Sequence, residues 1–275
     1  MNTEPDRYAV IGNPIAHSRS PEIHQLFADQ TGECIRYEKI LAEPGGFEAA
    51  VRQFFDAGGR GLNVTLPFKG EAFEFAAKCT DLAVHAGAVN TLIAQDDGSC
   101  LGANTDGIGL LRDLKKTLRL SIQNKRLLIL GAGGATRGIL EPLLQEKPLA
   151  LVIANRTPER GAALVEHFRA LGPMQSCALD AIPDGPYDLI VHATSAALQD
   201  QELGLPDTLA GPGTCCYDLI YSDTPTPFMR WAKDQRVLQV TDGFGMLLEQ
   251  AAESFYLWRG KRPDTAMACN YLRPP

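Results

Sequence analysis

The stretch "RLLILGAGGATRGIL", residues 126–140, leaves this chain fewer choices of fold than any other. An apolar run long enough for a buried strand goes straight into Gly131-Ala132-Gly133-Gly134-Ala135-Thr136, and a helical pattern follows. Gly131 permits the tight turn and Gly133 lets the backbone come close to a pyrophosphate. Ala135 and Thr136 are small enough for the helix to lie against the strand. The helix N-terminus then offers unpaired N–H groups and a positive dipole end to phosphate. A small residue stands in place of the third glycine of G-x-G-x-x-G, so the reading rests on the strand before and the helix after. It predicts a dinucleotide-binding βαβ unit.

The end of the following strand decides which dinucleotide. In "LALVIANRTPER" that position carries Asn155, Arg156 and Thr157, with Arg160 one turn into the next helix. An NAD site usually has Asp or Glu here, holding a ribose 2′-hydroxyl. A carboxylate would repel a 2′-phosphate, whereas arginine grips phosphate oxygens in a bidentate fork. The segment predicts NADP as the cofactor. Thr157 and Pro158 also suit a helix N-cap and first helical position, and both roles can hold together.

Strands and helices alternate on both sides of this unit. "YAVIG" (8–12), "RYEKIL" (36–41) and "GLNVTL" (61–66) read as strands. "SPEIHQLFADQTG" and "FEAAVRQFFDAGG" read as helices, the first with Ser20 as N-cap and Pro21 at its first position. "AVNTLIAQDDGSCLGANTD" reads as a hairpin turning at Asp96-Asp97-Gly98, and 106–118 as one amphipathic helix. Further strands fall near 126–130, 149–154, 187–191, 214–218 and 237–241, and a final helix over 244–260. The fold class is α/β, with two units, largely parallel sheets and a cleft between them. The boundaries expected are residues 1–105 for the first domain, 106–241 for a Rossmann-like NADP-binding domain, and 242–275 for a C-terminal helical segment.

The net charge is −7, which argues against a nucleic-acid partner. No basic flank precedes an apolar core at the N-terminus, and no run approaches the length of a membrane span. The seven cysteines form no C-x-x-C pair, so no metal site is expected. Their odd number, without a secretory signal, points to reduced thiols in the cytoplasm.

Hydride transfer to a ketone needs a proton donor beside the carbonyl oxygen. The first hundred residues are rich in candidates at strand and loop ends. They are Ser18 and Ser20 in "NPIAHSRSP", Asn63, Thr65 and Lys69 in "NVTLPFK", Asn90 in "AGAVNT", and Asn104, Thr105 and Asp106 in "GANTDG". Hydroxyls, amides, one cation and one carboxylate suit a small polyhydroxylated acid. Each also has a plainer role taken singly: a helix cap for Ser20 or Asp106, a solvated strand end for Lys69.

These segments, together with "HATS", "CYDLIY" and "DGFGMLLEQAA", occur in the order found in shikimate dehydrogenases, and the chain resembles that family from about residue 7 to about residue 260. The resemblance implies NADP-dependent, reversible reduction of 3-dehydroshikimate to shikimate in the chorismate and aromatic amino acid pathway. It implies that the first domain binds the substrate and that the C-terminal helical segment packs on it. The expected partner is a small molecule, with the chain a monomer or homodimer. Lys69 and Asp106 match the family's catalytic pair, and Ser18 and Ser20 the serines that bind the substrate carboxylate. Asn63, Thr65, Asn90, Tyr221 and Gln250 match other substrate contacts. Gly131, Ala132, Gly133, Gly134, Ala135, Asn155, Arg156, Thr157 and Arg160 match the NADP segments. Thr194, Ser195, Leu219, Gly243 and Met246 fall where the family lines the cofactor pocket. The chain departs from the common pattern at His192, Ala196-Ala197, Ala103 and Phe244. A quinate/shikimate dehydrogenase, a different two-domain reductase with a Rossmann unit, such as a glutamyl-tRNA reductase, and a non-catalytic ligand sensor are the rival readings.

Overall fold

The computed structural model describes residues 4–194 and 204–273. The chain divides into two units, Met1–Leu110 with Leu247–Pro275, and Leu111–Met246.

The first unit opens with β1 (Asp6–Gly12), α1 (Ser20–Thr31), β2 (Ile35–Leu41), α2 (Phe47–Asp56) and β3 (Gly59–Val64). There follow α3 (Lys69–Phe75), β4 (Lys78–Cys79), α4 (Asp81–Ala86), β5 (Thr91–Ala94), β6 (Cys100–Ala103) and α5 (Asp106–Arg112). The sheet order is β2-β1-β3-β5-β6-β4. β1 runs parallel to β2 and β3, and β4 parallel to β6. The expected hairpin, β5 with β6, adds the antiparallel contacts. α1 and α2 are the crossovers that parallel neighbours require. Strand order reverses between β1 and β3, so the loops leaving their C-terminal ends flank a switch point, where open α/β sheets bind ligands. Beneath it Ile11, Phe47, Leu62, Val64, Phe68 and Leu92 form a dry core.

The second unit begins with a π-helical turn at Asp113–Thr117. It continues through β7 (Arg126–Leu130), α6 (Gly134–Gln145), β8 (Ala150–Ala154), α7 (Pro158–Phe168), β9 (Met174–Cys177), β10 (Leu189–His192), β11 (Cys215–Asp218), α8 (Pro227–Asp234) and β12 (Gln239–Thr241). All neighbours are parallel, in the order β12-β11-β10-β7-β8-β9. Counted from β7 this is the dinucleotide-binding order 3-2-1-4-5-6 read from its other edge. β7 and β10, at the centre, are fully buried from Leu127 to Leu130 and from Leu189 to Val191, as expected of strands covered on both faces.

α9 (Phe244–Arg259) starts in the second unit and from Leu247 onward belongs to the first. There Asn63 Nδ2 donates to Ser254 Oγ at 2.9 Å, Trp258 Nε1 donates to the Leu92 carbonyl at 3.1 Å, and Arg259 pairs with Asp6 and Glu33. α10 (Thr265–Leu272) follows, capped by Asp264, whose side chain accepts from Ala266 and Met267 N–H. Among the described residues no helix is long and apolar enough to cross a membrane.

Three local expectations change. Ser20 is the first helical residue of α1, not its cap. Arg19 holds the cap position, and Ser20 N–H and Oγ both turn to Ser18 Oγ. The segment 106–118 is not one α-helix. Its second half widens to the π-turn at Asp113, whose carboxylate accepts from Tyr217 OH at 2.6 Å. Lys69 is not the end of a strand. β3 stops at Val64, Phe68 N–H closes a turn onto the Thr65 carbonyl across Pro67, and Lys69 opens α3.

Candidate active site

The segments after β1 and β3, and the two ends of the β5–β6 hairpin, place the polar residues of the first unit. Lys69 sits at the start of α3, where its carbonyl accepts from Val89 N–H at 2.9 Å. Asp106 starts α5, its N–H donating to Asn104 Oδ1 at 3.1 Å. Lys69 Nζ donates to Asp106 Oδ2 at 2.5 Å. The other carboxylate oxygen, Oδ1, accepts from Asn90 Nδ2 at 2.8 Å. The Lys69 side chain is 18% exposed and that of Asp106 7%. An ammonium has three N–H donors, so the carboxylate aims it without using it up.

Asn90 ties this pair to the rest. Its Oδ1 accepts from Thr105 N–H and Thr91 Oγ1, each at 2.9 Å, and its Nδ2 also reaches Thr105 Oγ1 and Gln250 Oε1. Gln250 gets there because α9 crosses α5 closely at Gly109. A Cβ on that glycine would lie 2.6 Å from Gln250 Cβ and 2.8 Å from its backbone nitrogen. Asn63 is turned inward. It accepts from Tyr37 OH at 2.8 Å and donates to Ser254 Oγ. Ser18 Oγ donates to Ser20 Oγ at 3.2 Å, and Ser20 lies within hydrogen-bonding reach of Tyr37. Thr65 is half-buried in the turn after β3, with its N–H on the Ile11 carbonyl.

Lys69, Asp106, Asn90 and Gln250 are thus joined in one hydrogen-bonded group, with Asn63 linked to it through Thr91 and Ser254. Tyr221 belongs to the second unit, with its ring 6.5 Å from that of Phe244. The sequence reading missed Tyr37, Thr91 and Ser254 as supports. Ser254 had a signal, being one turn beyond Gln250 on the same helix face.

It also missed His24, which lies flat on Tyr37 with ring centroids 4.3 Å apart. His24 is fully buried, and its ring nitrogens make no hydrogen bond of good geometry. Burial pushes its pKa down to about 3, and nearby Asn63 opposes this only in part. Burial likewise pushes the Tyr37 phenol well up. Both rings are held neutral, His24 on the buried face of α1, the helix that carries Ser20, and Tyr37 on β2.

In the second unit, strand order reverses between β7 and β10. Gly131 follows β7 directly with φ +112°, and a Cβ there would lie 3.0 Å from the Ala193 carbonyl and from Thr194 Cγ2. Only glycine turns the chain this tightly against the end of β10. Asn155 shapes the same loop. Its Oδ1 accepts from Ala132 N–H at 3.2 Å and its Nδ2 donates to the Thr157 carbonyl at 2.8 Å. Gly133 holds the N-cap position of α6 and Gly134 and Ala135 its first turn. A Cβ on Gly133 or Gly134 would meet no atom within 4 Å. The loop thus leaves room above a helix N-terminus, which fits a pyrophosphate.

Arg156 and Arg160 are exposed at the C-terminal end of β8, with Thr157 in the N-cap position of α7. Thr194, Leu219 and Gly243 follow the ends of β10, β11 and β12, and Leu219 N–H donates to the His192 carbonyl at 2.9 Å. Met246 N–H donates to Tyr217 OH at 3.1 Å. Ser195, with Ala196 and Ala197, lies outside the described residues.

Comparison with known proteins gives a consistent picture. Residues 10–92 match the family model of the shikimate dehydrogenase substrate binding domain, residues 113–199 that of shikimate / quinate 5-dehydrogenase, and residues 243–266 that of the shikimate 5′-dehydrogenase C-terminal domain. The chain is 51% identical over 269 residues to a shikimate dehydrogenase (NADP(+)) of Alkalilimnicola ehrlichii, covering 98% of this chain and 99% of that one. An Ael1 enzyme from Pseudomonas putida superposes with a TM-score of 0.90 at 44% identity, over 98% of this chain and 99% of the other. The Thermus thermophilus shikimate 5-dehydrogenase, in complex with NADP(H) and shikimate, superposes with a TM-score of 0.84 at 34% identity, over 95% and 96%.

Proposed function

The chain belongs to the shikimate dehydrogenase family, and from that membership we propose that Lys69 and Asp106 are the groups that handle the proton. The protein is an NADP-dependent oxidoreductase that interconverts 3-dehydroshikimate and shikimate, toward the aromatic amino acids. The observation that carries the residue assignment is the Lys69 ammonium 2.5 Å from one oxygen of Asp106 while Asn90 holds the other.

NADPH, when bound, supplies the hydride. The rest falls to the chain's own side chains. As negative charge grows on the substrate oxygen, the Lys69 ammonium stabilises it and gives up a proton. Asp106 keeps that ammonium from swinging on its four-carbon stem. Asn90 keeps the carboxylate from rotating, because it occupies Oδ1. Ser18 and Ser20 are suited to a carboxylate, since hydroxyls donate to it. Thr65, Tyr221 and Gln250 complete the substrate contacts, and Asn63 acts from beneath. Arg156 and Arg160 bind the 2′-phosphate, the loop from Gly131 to Ala135 binds the pyrophosphate, and Thr194, Ser195, Leu219, Gly243 and Met246 line the remainder. With seven free cysteines the chain suits the reducing cytoplasm.

The test is the rate of cofactor reduction with shikimate and with quinate, each with NADP⁺ and with NAD⁺. The shikimate–NADP⁺ pair should be the fastest. Equal turnover of quinate with NAD⁺ would replace this reading with a quinate/shikimate dehydrogenase. No turnover with any pair would leave a ligand sensor.

A further inference from the structure

His192 and Asp218, at the C-terminal ends of β10 and β11, are 1% and 0% exposed. His192 Nδ1 lies 3.2 Å from Asp218 Oδ1, off the line of an ideal hydrogen bond. The same carboxylate accepts from Ile220 N–H at 3.1 Å and from Thr226 Oγ1 at 2.6 Å. On its far side, His192 Nε2 is 2.6 Å from Thr194 Oγ1. The ring is braced by Phe228, with centroids 5.0 Å apart.

These contacts set the direction of each proton. A carboxylate only accepts, so its negative charge 3.2 Å from Nδ1 favours the tautomer with the hydrogen on Nδ1. In a neutral ring Nε2 is then an acceptor, and the short contact to Thr194 must carry the threonine's own hydroxyl hydrogen. We infer that Asp218 and His192 are positioning residues that fix the Thr194 oxygen as a hydrogen-bond acceptor at the β7–β10 switch point. Whatever meets that oxygen must bring a hydrogen. A phosphate brings none at this site, whereas a ribose hydroxyl or a carboxamide N–H does.

The sheet order says which part of the dinucleotide this is. Arg156 follows β8, Gly131 follows β7 and Thr194 follows β10, and these strands lie side by side in the order β8-β7-β10. With the 2′-phosphate at β8 and the pyrophosphate at β7, the nicotinamide and its ribose fall to β10. The inference rests on the NADP reading proposed above.

The test titrates the chain of 275 residues with NADP⁺ and with 2′,5′-ADP, which lacks the nicotinamide half, by calorimetry. His192→Phe keeps the ring and removes both nitrogens. It should weaken NADP⁺ about tenfold, the scale of one hydrogen bond, and leave 2′,5′-ADP unchanged. His192→Asn offers a donor and an acceptor at similar spacing and should restore NADP⁺ to within about threefold of wild type. Nitrogen NMR of the imidazoles, assigned by the signal lost in His192→Asn, should show Nδ1 protonated and Nε2 bare. Equal losses for both ligands, no loss for either, or a hydrogen on both ring nitrogens would overturn the inference. A wild-type chain binding neither ligand would overturn the inference together with the NADP reading beneath it. Binding of 2′,5′-ADP that survives Arg156→Ala would strike that reading alone at its phosphate contact.

Discussion

Acidification should weaken the first unit well before its carboxylates titrate, and the cause is His24. In the folded chain its pKa is pushed down from 6.5 to about 3 by burial. Between those values the unfolded chain binds a proton that the folded chain refuses, so stability falls as pH falls. The contribution is fully present above pH 6.5 and fully lost near pH 3. Its total is about 5 kcal/mol, since each pH unit is worth about 1.4 kcal/mol. Between pH 7 and pH 5 the loss is about 2 kcal/mol, a large share of a typical stability of roughly 5–15 kcal/mol.

That window separates His24 from acidic groups such as Glu33. Hydrogen bonding to Lys261 lowers the Glu33 carboxyl from 4.5, against some desolvation, so its share is lost only below that value. Urea unfolding at pH 7, 6 and 5 measures the effect. Trp258, whose ring lies 5.3 Å from that of His24, is the reporter in a Trp231→Phe background. His24→Phe fills the same stacked slot without a titrating nitrogen. Overpacking shifts its whole curve by about 1–3 kcal/mol, but its fall from pH 7 to 5 should be about 2 kcal/mol smaller than the parent's. Parallel curves for parent and variant would refute the argument.

Three further outcomes follow from the same contacts. Arg156→Ala should raise the KM for NADPH far more than that for NADH, measured as initial rates; an equal rise would remove the 2′-phosphate from Arg156. Asn90→Ala leaves Asp106 Oδ1 and the Thr105 N–H without their buried partner, so it should cost about 2–3 kcal/mol in urea unfolding and lower kcat as well. Gly109→Ala drives a methyl to 2.6 Å from Gln250 Cβ and should destabilise by about 1–3 kcal/mol, read as a drop in Tm.

The parts of the fold legible in the sequence were those with a strong periodic signal. The buried strands at 126–130 and 150–154, the hairpin at Asp96–Gly98 and the long helix after Phe244 stood out because each pairs an apolar run with its own punctuation. The strand Met174–Cys177 did not, because an edge strand with partly buried polar residues carries little alternation. α3 and α4 are each seven residues or fewer, too short for a helical period to show. The π-turn was hidden because Asp113 is drawn inward by Tyr217, more than a hundred residues away.

The site was legible as a list of polar residues but not as a network. Nothing in "NVT" says that Asn63 faces inward to Tyr37 and Ser254, because that depends on α9 returning to the sheet. His192 was visible as a departure from the family pattern. Its consequence needed the positions of Asp218 and Thr194 on either side of the ring.

The central claim is that Lys69 supplies the proton while Asp106 aims it. It is tested most directly by kcat of Lys69→Ala beside the shikimate dissociation constant of the same variant. Loss of a general acid should cut kcat by about 10²–10⁴, with shikimate binding weakened only a few-fold. Turnover near that of the parent chain would contradict the account.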